Sequence, residues 1–341
     1  MAERITYFDI LRGLAICGVV AIHSSDVGLE FPDDSLNLHF TILWRQLLNF
    51  SIPLFLAISG YFLANKKITH YDEYVAFIKK QIPRVYIPCL FWSVAWLILA
   101  TLAGSKPILQ QLYKLVTFQS SETYYFIALI IQYYILLPIL KRLANIKGLV
   151  VTLITSLAMT GIIFYIRYFT DMKLPLIVYA GIFSTWLVFF VFGLYLGSSA
   201  TISLSNKLLI GLILVFYSIS CIESYVLYAL FNQVENAVTA VKASSFMYSF
   251  VLIAYLFKNI DFLKSRALKS VGEMSFGIYL IHMFVLMIVS RLLSLFFPSL
   301  KVVQPVYQFT LIGTVMLSCF LFISVGKGVL SNKQMKIMGF K

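Results

Sequence analysis

Apolar residues in this chain come in long unbroken runs rather than in the narrow stripes of a soluble fold. Ten runs can be marked, at about 5–24, 42–64, 83–103, 124–141, 146–166, 178–197, 207–230, 238–257, 271–296 and 304–326. At about 20 residues, each is long enough to cross a hydrocarbon core as a helix. Ten-residue segments of alternating apolar and polar positions, the signature of a membrane β-barrel, do not occur. The pattern predicts an all-α integral membrane protein with about ten transmembrane helices. The links between runs are short, so residues 1–341 are expected to form a single membrane domain.

Composition agrees. Of 341 residues 60% are hydrophobic and 12% charged, against about 25% charged in soluble domains. The charges between the runs set the expected orientation. With the N-terminus inside, the inner segments carry Arg4, Lys66, Lys67, Lys79, Lys80, Lys141, Arg142, Lys147, Lys207, Lys258, Lys264, Arg266, Lys269, Lys327, Lys333, Lys336 and Lys341. The outer segments carry Arg45, Lys106, Lys114, Arg167, Lys173, Lys242, Arg291 and Lys301, which makes 17 against 8. Both termini are therefore expected in the cytoplasm. The net charge of +13 is mostly this asymmetry. The basic residues form no continuous patch, so a nucleic-acid partner is not expected. Residues 1–24 are expected to stay as a permanent first helix rather than a cleaved signal peptide, because Arg12 interrupts the apolar stretch and acidic residues follow His23. Cys17, Cys89, Cys221 and Cys319 lie inside apolar runs and read as packing residues. The four histidines have no metal-binding spacing, so no metal is expected.

The first run holds three ionisable side chains, Asp9, Arg12 and His23. From Arg12 to His23 is eleven residues, roughly 1100° of helix or three turns plus 20°. The two side chains share a face, about 16 Å apart along it. Asp9, one turn before Arg12, is placed to pair with it. Gly13 and Gly18 permit close helix approach. A charge at the centre of a lipid-facing helix costs about 3 kcal/mol or more, so this face is expected to line a water-filled interior. Arg12 would hold an anion low in the membrane, and His23 would accept a proton near the outer end. An interfacial histidine with a snorkelling arginine is the competing reading.

These residues carry a resemblance. "FDILRGLAICGVVAIH" resembles the opening helix of the acyltransferase-3 family of bacterial membrane acyltransferases, which has an Arg, ten residues and a His, as Arg12 and His23 are spaced. "SIPLFLAISGYFL" (51–63) is similar to the family's second helix, with Ser59–Gly60. "KKQIPRVYIPCLFW" (79–92) resembles the basic start of the third, "TYYFIALIIQYYILLPIL" (123–140) the fourth, and "VGEMSFGIYLIHMF" (271–284) the late segment ending in Tyr-Leu-x-His. Two positions depart. The family often has R-x-x-R before the third helix; Arg84 fits the second place, Gln81 occupies the first, and Lys80 lies one residue earlier. The fourth helix usually opens on a Trp-Phe-Leu-like triplet, where this chain has Tyr125-Phe126-Ile127. Many members also carry a soluble hydrolase-like domain after the last helix; this chain is expected to be the standalone membrane domain.

The resemblance implies transfer of an acyl group, usually acetyl from acetyl-CoA, to a sugar hydroxyl of a cell-envelope glycan or lipid-linked sugar. It also implies a multi-pass protein of the bacterial inner membrane. Such transfer needs a base and an oriented thioester. His23 is the candidate base or acyl carrier, with Arg12 and Asp9 beside it in the catalytic set. Lys79, Lys80 and Arg84 would receive the polyanionic acyl-CoA, though topology anchoring explains them equally. Ser59 would offer a hydroxyl to the donor or simply pack. Glu122, Tyr125 and His282 are candidate acceptor-binding residues; loop solvation, the interfacial aromatic belt and polar packing compete for them. A transporter or flippase using the Asp9/Arg12/His23 face is the main alternative. No internal repeat supports it. Oligomeric state leaves no mark in the sequence.

Overall fold

The structure is a computed structural model. It describes residues 2–102, 104, 107–170, 172, 174–198, 200–260 and 262–340, with side chains from Thr6 onward. Lys106, Lys173, Lys341 and the side chain of Arg4, all counted in the charge tally, lie outside the described residues. The chain is 82% helical with no strand among the described residues, which removes a β-barrel. Eight helices are long and apolar enough to cross a membrane, and two shorter apolar helical segments, Phe183–Gly197 and Ala243–Lys258, join them. Together they correspond to the ten runs.

Helix α1 (Ala2–Ser24) is continuous, so the shared face of Arg12 and His23 is real. The second run is broken into α2 (Leu36–Leu48) and α3 (Ser51–Leu63). Pro53 lacks a donor for a continued helix, and Asn49 at the break spends its amide on Gln46 Oε1 and Ser245 Oγ, each at 3.0 Å. Helix α4 (Tyr71–Leu102) starts a dozen residues before the expected run. Its first turns are charged, which hides them from an apolar pattern. Glu73 caps them, accepting from the Thr69 backbone N–H at 2.7 Å and hydroxyl at 2.8 Å. Lys79 and Lys80 therefore sit within a helix, not in a loop.

The short α5 (Ile108–Val116) leaves Ile108, Leu109, Leu112, Tyr113 and Val116 exposed, a stripe suited to the bilayer surface. Then come α6 (Tyr125–Arg142), α7 (Ile146–Phe169), α8 (Leu176–Tyr179) and α9 (Leu187–Gly197). Every residue of α9 except Tyr195 is buried, as expected for a helix that is apolar all round. It crosses α3 at backbone distance: a methyl on Gly60 would meet the Phe190 carbonyl, and one on Gly193 the Ala57 carbonyl.

Helix α10 (Asn206–Phe231) faces outward, α11 (Val234–Ala237) is one turn, and α12 (Ala243–Lys258) is mostly buried. The ninth run splits at Met274 into α13 (Arg266–Glu273) and α14 (Ser275–Phe296). Gly272 of α13 seats against the Asp9 carbonyl, and Gly13 against that of Leu268. Helices α15 (Gln304–Val329) and α16 (Asn332–Met338) complete the chain. The interior holds α1, α2–α3, α9 and α12, while α4, α7, α10 and α15 carry the larger lipid-facing surface.

Candidate functional site

A cavity of about 420 Å³ opens at one end of the bundle. His23 lines it from the last turn of α1, with Val19 and Ile22 below. Asp26, Arg45, Asn49, Glu122, Thr123, Tyr125, Arg167, Tyr179 and Trp186 form much of the rest. Strict alternation of the ten runs puts nearly all of these segments on the same side. They come from the final ends of the first and fifth runs and the starting ends of the second, fourth, sixth and eighth. Tyr279 alone reaches the cavity from the other end of its run.

Short-range bonds shape the walls. Arg45 Nη1 pairs with Asp26 Oδ1 at 2.7 Å, and its guanidinium is close enough to His23 to act on it electrostatically. The Arg167 guanidinium lies 4.2 Å from the Tyr179 ring centroid. Trp186 Nε1 donates to the Ala180 carbonyl at 2.8 Å, and the indole stacks on Phe246 with centroids 5.2 Å apart. Tyr279 donates its hydroxyl to the Thr123 carbonyl. Behind His23 stands His282, fully buried, with ring centroids 5.6 Å apart.

The cavity unites three expected residues, His23, Glu122 and Tyr125, with His282 one layer behind. The expectation of one groove joining Arg12 to His23 is corrected. Arg12 is not among the lining residues. Ile16, on the face between them, is fully buried.

At the opposite end of α1, Arg12 Nη1 pairs with Asp9 Oδ1 at 2.7 Å, as the i,i+3 spacing predicts, and its guanidinium lies 4.9 Å from the Phe62 ring centroid. Arg12 and Arg84 both reach close enough to Tyr134 to act on its hydroxyl. Arg84, Lys80 and Lys79 are exposed on α4, so this end presents a cationic surface built by two helices. Ser59 donates to the Phe55 carbonyl one turn back at 2.9 Å and Gly60 packs on α9, which is the packing alternative for this pair. Glu273 ends α13 and lies 3.8 Å from Lys269.

Sequence reading missed Arg45, Arg167, Tyr179 and Trp186. A signal existed for Arg45, since an arginine three residues inside an apolar run is as costly as Arg12. Among the described residues no group of three or more His, Cys, Asp or Glu is arranged to hold a metal.

A multi-pass helical membrane protein with a histidine at a polar cavity on one side and arginines on the other defines the class. A family model described as an acyltransferase domain, that of the acyltransferase-3 family, matches residues 5–325, and the chain belongs to that family. No curated protein and no solved structure matches the chain. The protein is a membrane acyltransferase.

Proposed function

We propose that the protein moves an acetyl group from acetyl-CoA to a hydroxyl of a cell-envelope glycan or a lipid-linked sugar, in the bacterial inner membrane. The observation that carries this reading is His23 at a 420 Å³ cavity walled by Tyr125, Tyr179 and Trp186 and rimmed by Arg45, Asp26 and Glu122. Aromatic faces suit sugar rings, and the charged rim suits a polyol with several hydroxyls to fix. Arg12, Arg84, Lys80 and Lys79 at the other end suit the phosphates of coenzyme A. By the Lys/Arg asymmetry that end is cytoplasmic, where acetyl-CoA is found.

In the proposed reaction the acceptor hydroxyl gives its proton to a ring nitrogen of His23. The oxygen bonds to the acetyl carbon, the C–S bond breaks, and the departing thiolate takes that proton. Arg45, beside His23, is the cation positioned to stabilise the oxyanion.

The test is thiol release from acetyl-CoA by purified protein with candidate glycan acceptors. Release that depends on acceptor and is lost in His23→Ala supports the reading. Equal release by the variant removes His23 from the reaction. Uptake of intact sugar without CoA consumption favours transport.

A further inference from the structure

His282 has a defined protonation pattern. Its Nδ1 lies 2.7 Å from the Tyr279 carbonyl oxygen and 3.2 Å from that of Ile278. Carbonyl oxygens only accept, so Nδ1 carries the hydrogen and Nε2 of the neutral ring is a bare acceptor. That Nε2 is buried and has no hydrogen-bond partner among the described residues. Neighbouring hydroxyls are committed elsewhere: Tyr279 donates to the Thr123 carbonyl, and Tyr124 to the Leu280 carbonyl at 2.9 Å. An acceptor buried without a partner is destabilising, so a donor is expected to meet it. The donor-capable ring beside it is His23, tilted 46° with centroids 5.6 Å apart.

We propose that His282 is a positioning residue for His23. Its Nε2 lone pair takes the N–H of one His23 ring nitrogen, directly or through one water. The other His23 nitrogen is then the bare one and faces the cavity, ready to accept the substrate proton. A base oriented by a third group is the usual logic of an activated nucleophile. A carboxylate there would also favour the charged imidazolium; a neutral imidazole fixes the tautomer without placing a second charge in a buried site. The proposal rests on His23 being the base.

The chain has four histidines, His23, His39, His70 and His282. Ring-15N histidine labelling of the protein in lipid nanodiscs therefore gives four imidazoles, assigned by single substitutions. The expected result is His282 protonated on Nδ1 and His23 in a single tautomer. In His282→Leu, His23 should populate both tautomers. Its turnover of acetyl-CoA should fall roughly 10- to 100-fold, the size usual for losing the partner of a functional histidine, with KM for acetyl-CoA unchanged within about twofold. His282→Gln keeps an acceptor oxygen and should recover most of that loss. The proposal is overturned if His23 keeps one tautomer in His282→Leu, if His282 proves bare at Nδ1, or if the Gln and Leu variants lose turnover equally. Should the Leu variant not fold, the wild-type tautomers and the Gln variant decide it. Normal turnover by His23→Ala would instead remove the base reading itself.

Discussion

Replacing Gly193 by alanine adds one methyl group at the point where α3 and α9 touch backbone to backbone. An ideal Cβ there lies 2.0 Å from the Ala57 carbonyl oxygen and 2.8 Å from its carbon, while ordinary contact begins near 3.4 Å. The helices must part by about 3.4 − 2.0 = 1.4 Å. Both obstructing atoms are backbone, so no rotamer change relieves the clash. Parting also loosens the contacts flanking it, Gly60 on Phe190 and Gly197 on Tyr61. Overpacking usually costs about 1–3 kcal/mol. This crossing belongs at or above the upper end, since packing rather than water exclusion holds membrane helices together. Gly211→Ala is the control, because among the described residues nothing beyond its own helix backbone and chain neighbours lies within 4 Å of its Cβ. Gly211→Ala should be neutral or gain up to about 1 kcal/mol of helix propensity. The assay is thermal unfolding in one detergent. About 3 kcal/mol should lower the midpoint of Gly193→Ala by roughly 5 °C or more. Equal stability of Gly193→Ala and wild type, or equal loss in both variants, would refute the close-crossing argument.

Other substitutions separate the two ends of α1. Arg12→Met should raise KM for acetyl-CoA about 10- to 100-fold, the loss of one charge-assisted contact of about 1.5–3 kcal/mol; steady-state kinetics with an unchanged KM would remove Arg12 from donor binding. Ser59→Ala should leave turnover within about twofold, since its hydroxyl already serves the Phe55 carbonyl. Lys242 is buried and bonds Ser220 and Ala237 carbonyls at 2.9 and 3.2 Å and the Ser224 hydroxyl. Lys242→Met should cost roughly 2 kcal/mol and speed amide exchange over residues 234–242.

The apolar runs carried the helix count because length and hydropathy are local properties. The same holds for the Asp9–Arg12 pair and the Arg12–His23 face, which need only the 3.6-residue turn. The cavity was not legible, since its walls meet only after α1, α2, α6, α7, α8 and α11 come together. Ile16 illustrates this: it shares the face of Arg12 and His23 in sequence, and only packing buries it. The start of α4 at Tyr71 was hidden by its charges, and the breaks at Asn49 and Met274 by continuous hydropathy across them.

Transfer as proposed requires an acyl donor held at the Arg12 end and a His23 base at the other. Sealed nanodisc-derived vesicles of known orientation, given labelled acetyl-CoA on one side only, test it directly. Labelled acceptor should form only when acetyl-CoA is on the side of Lys80, and none should form with His23→Ala, although that variant still binds acetyl-CoA. Product formed at the wild-type rate by His23→Ala, or from donor on the Glu122 side, would contradict it.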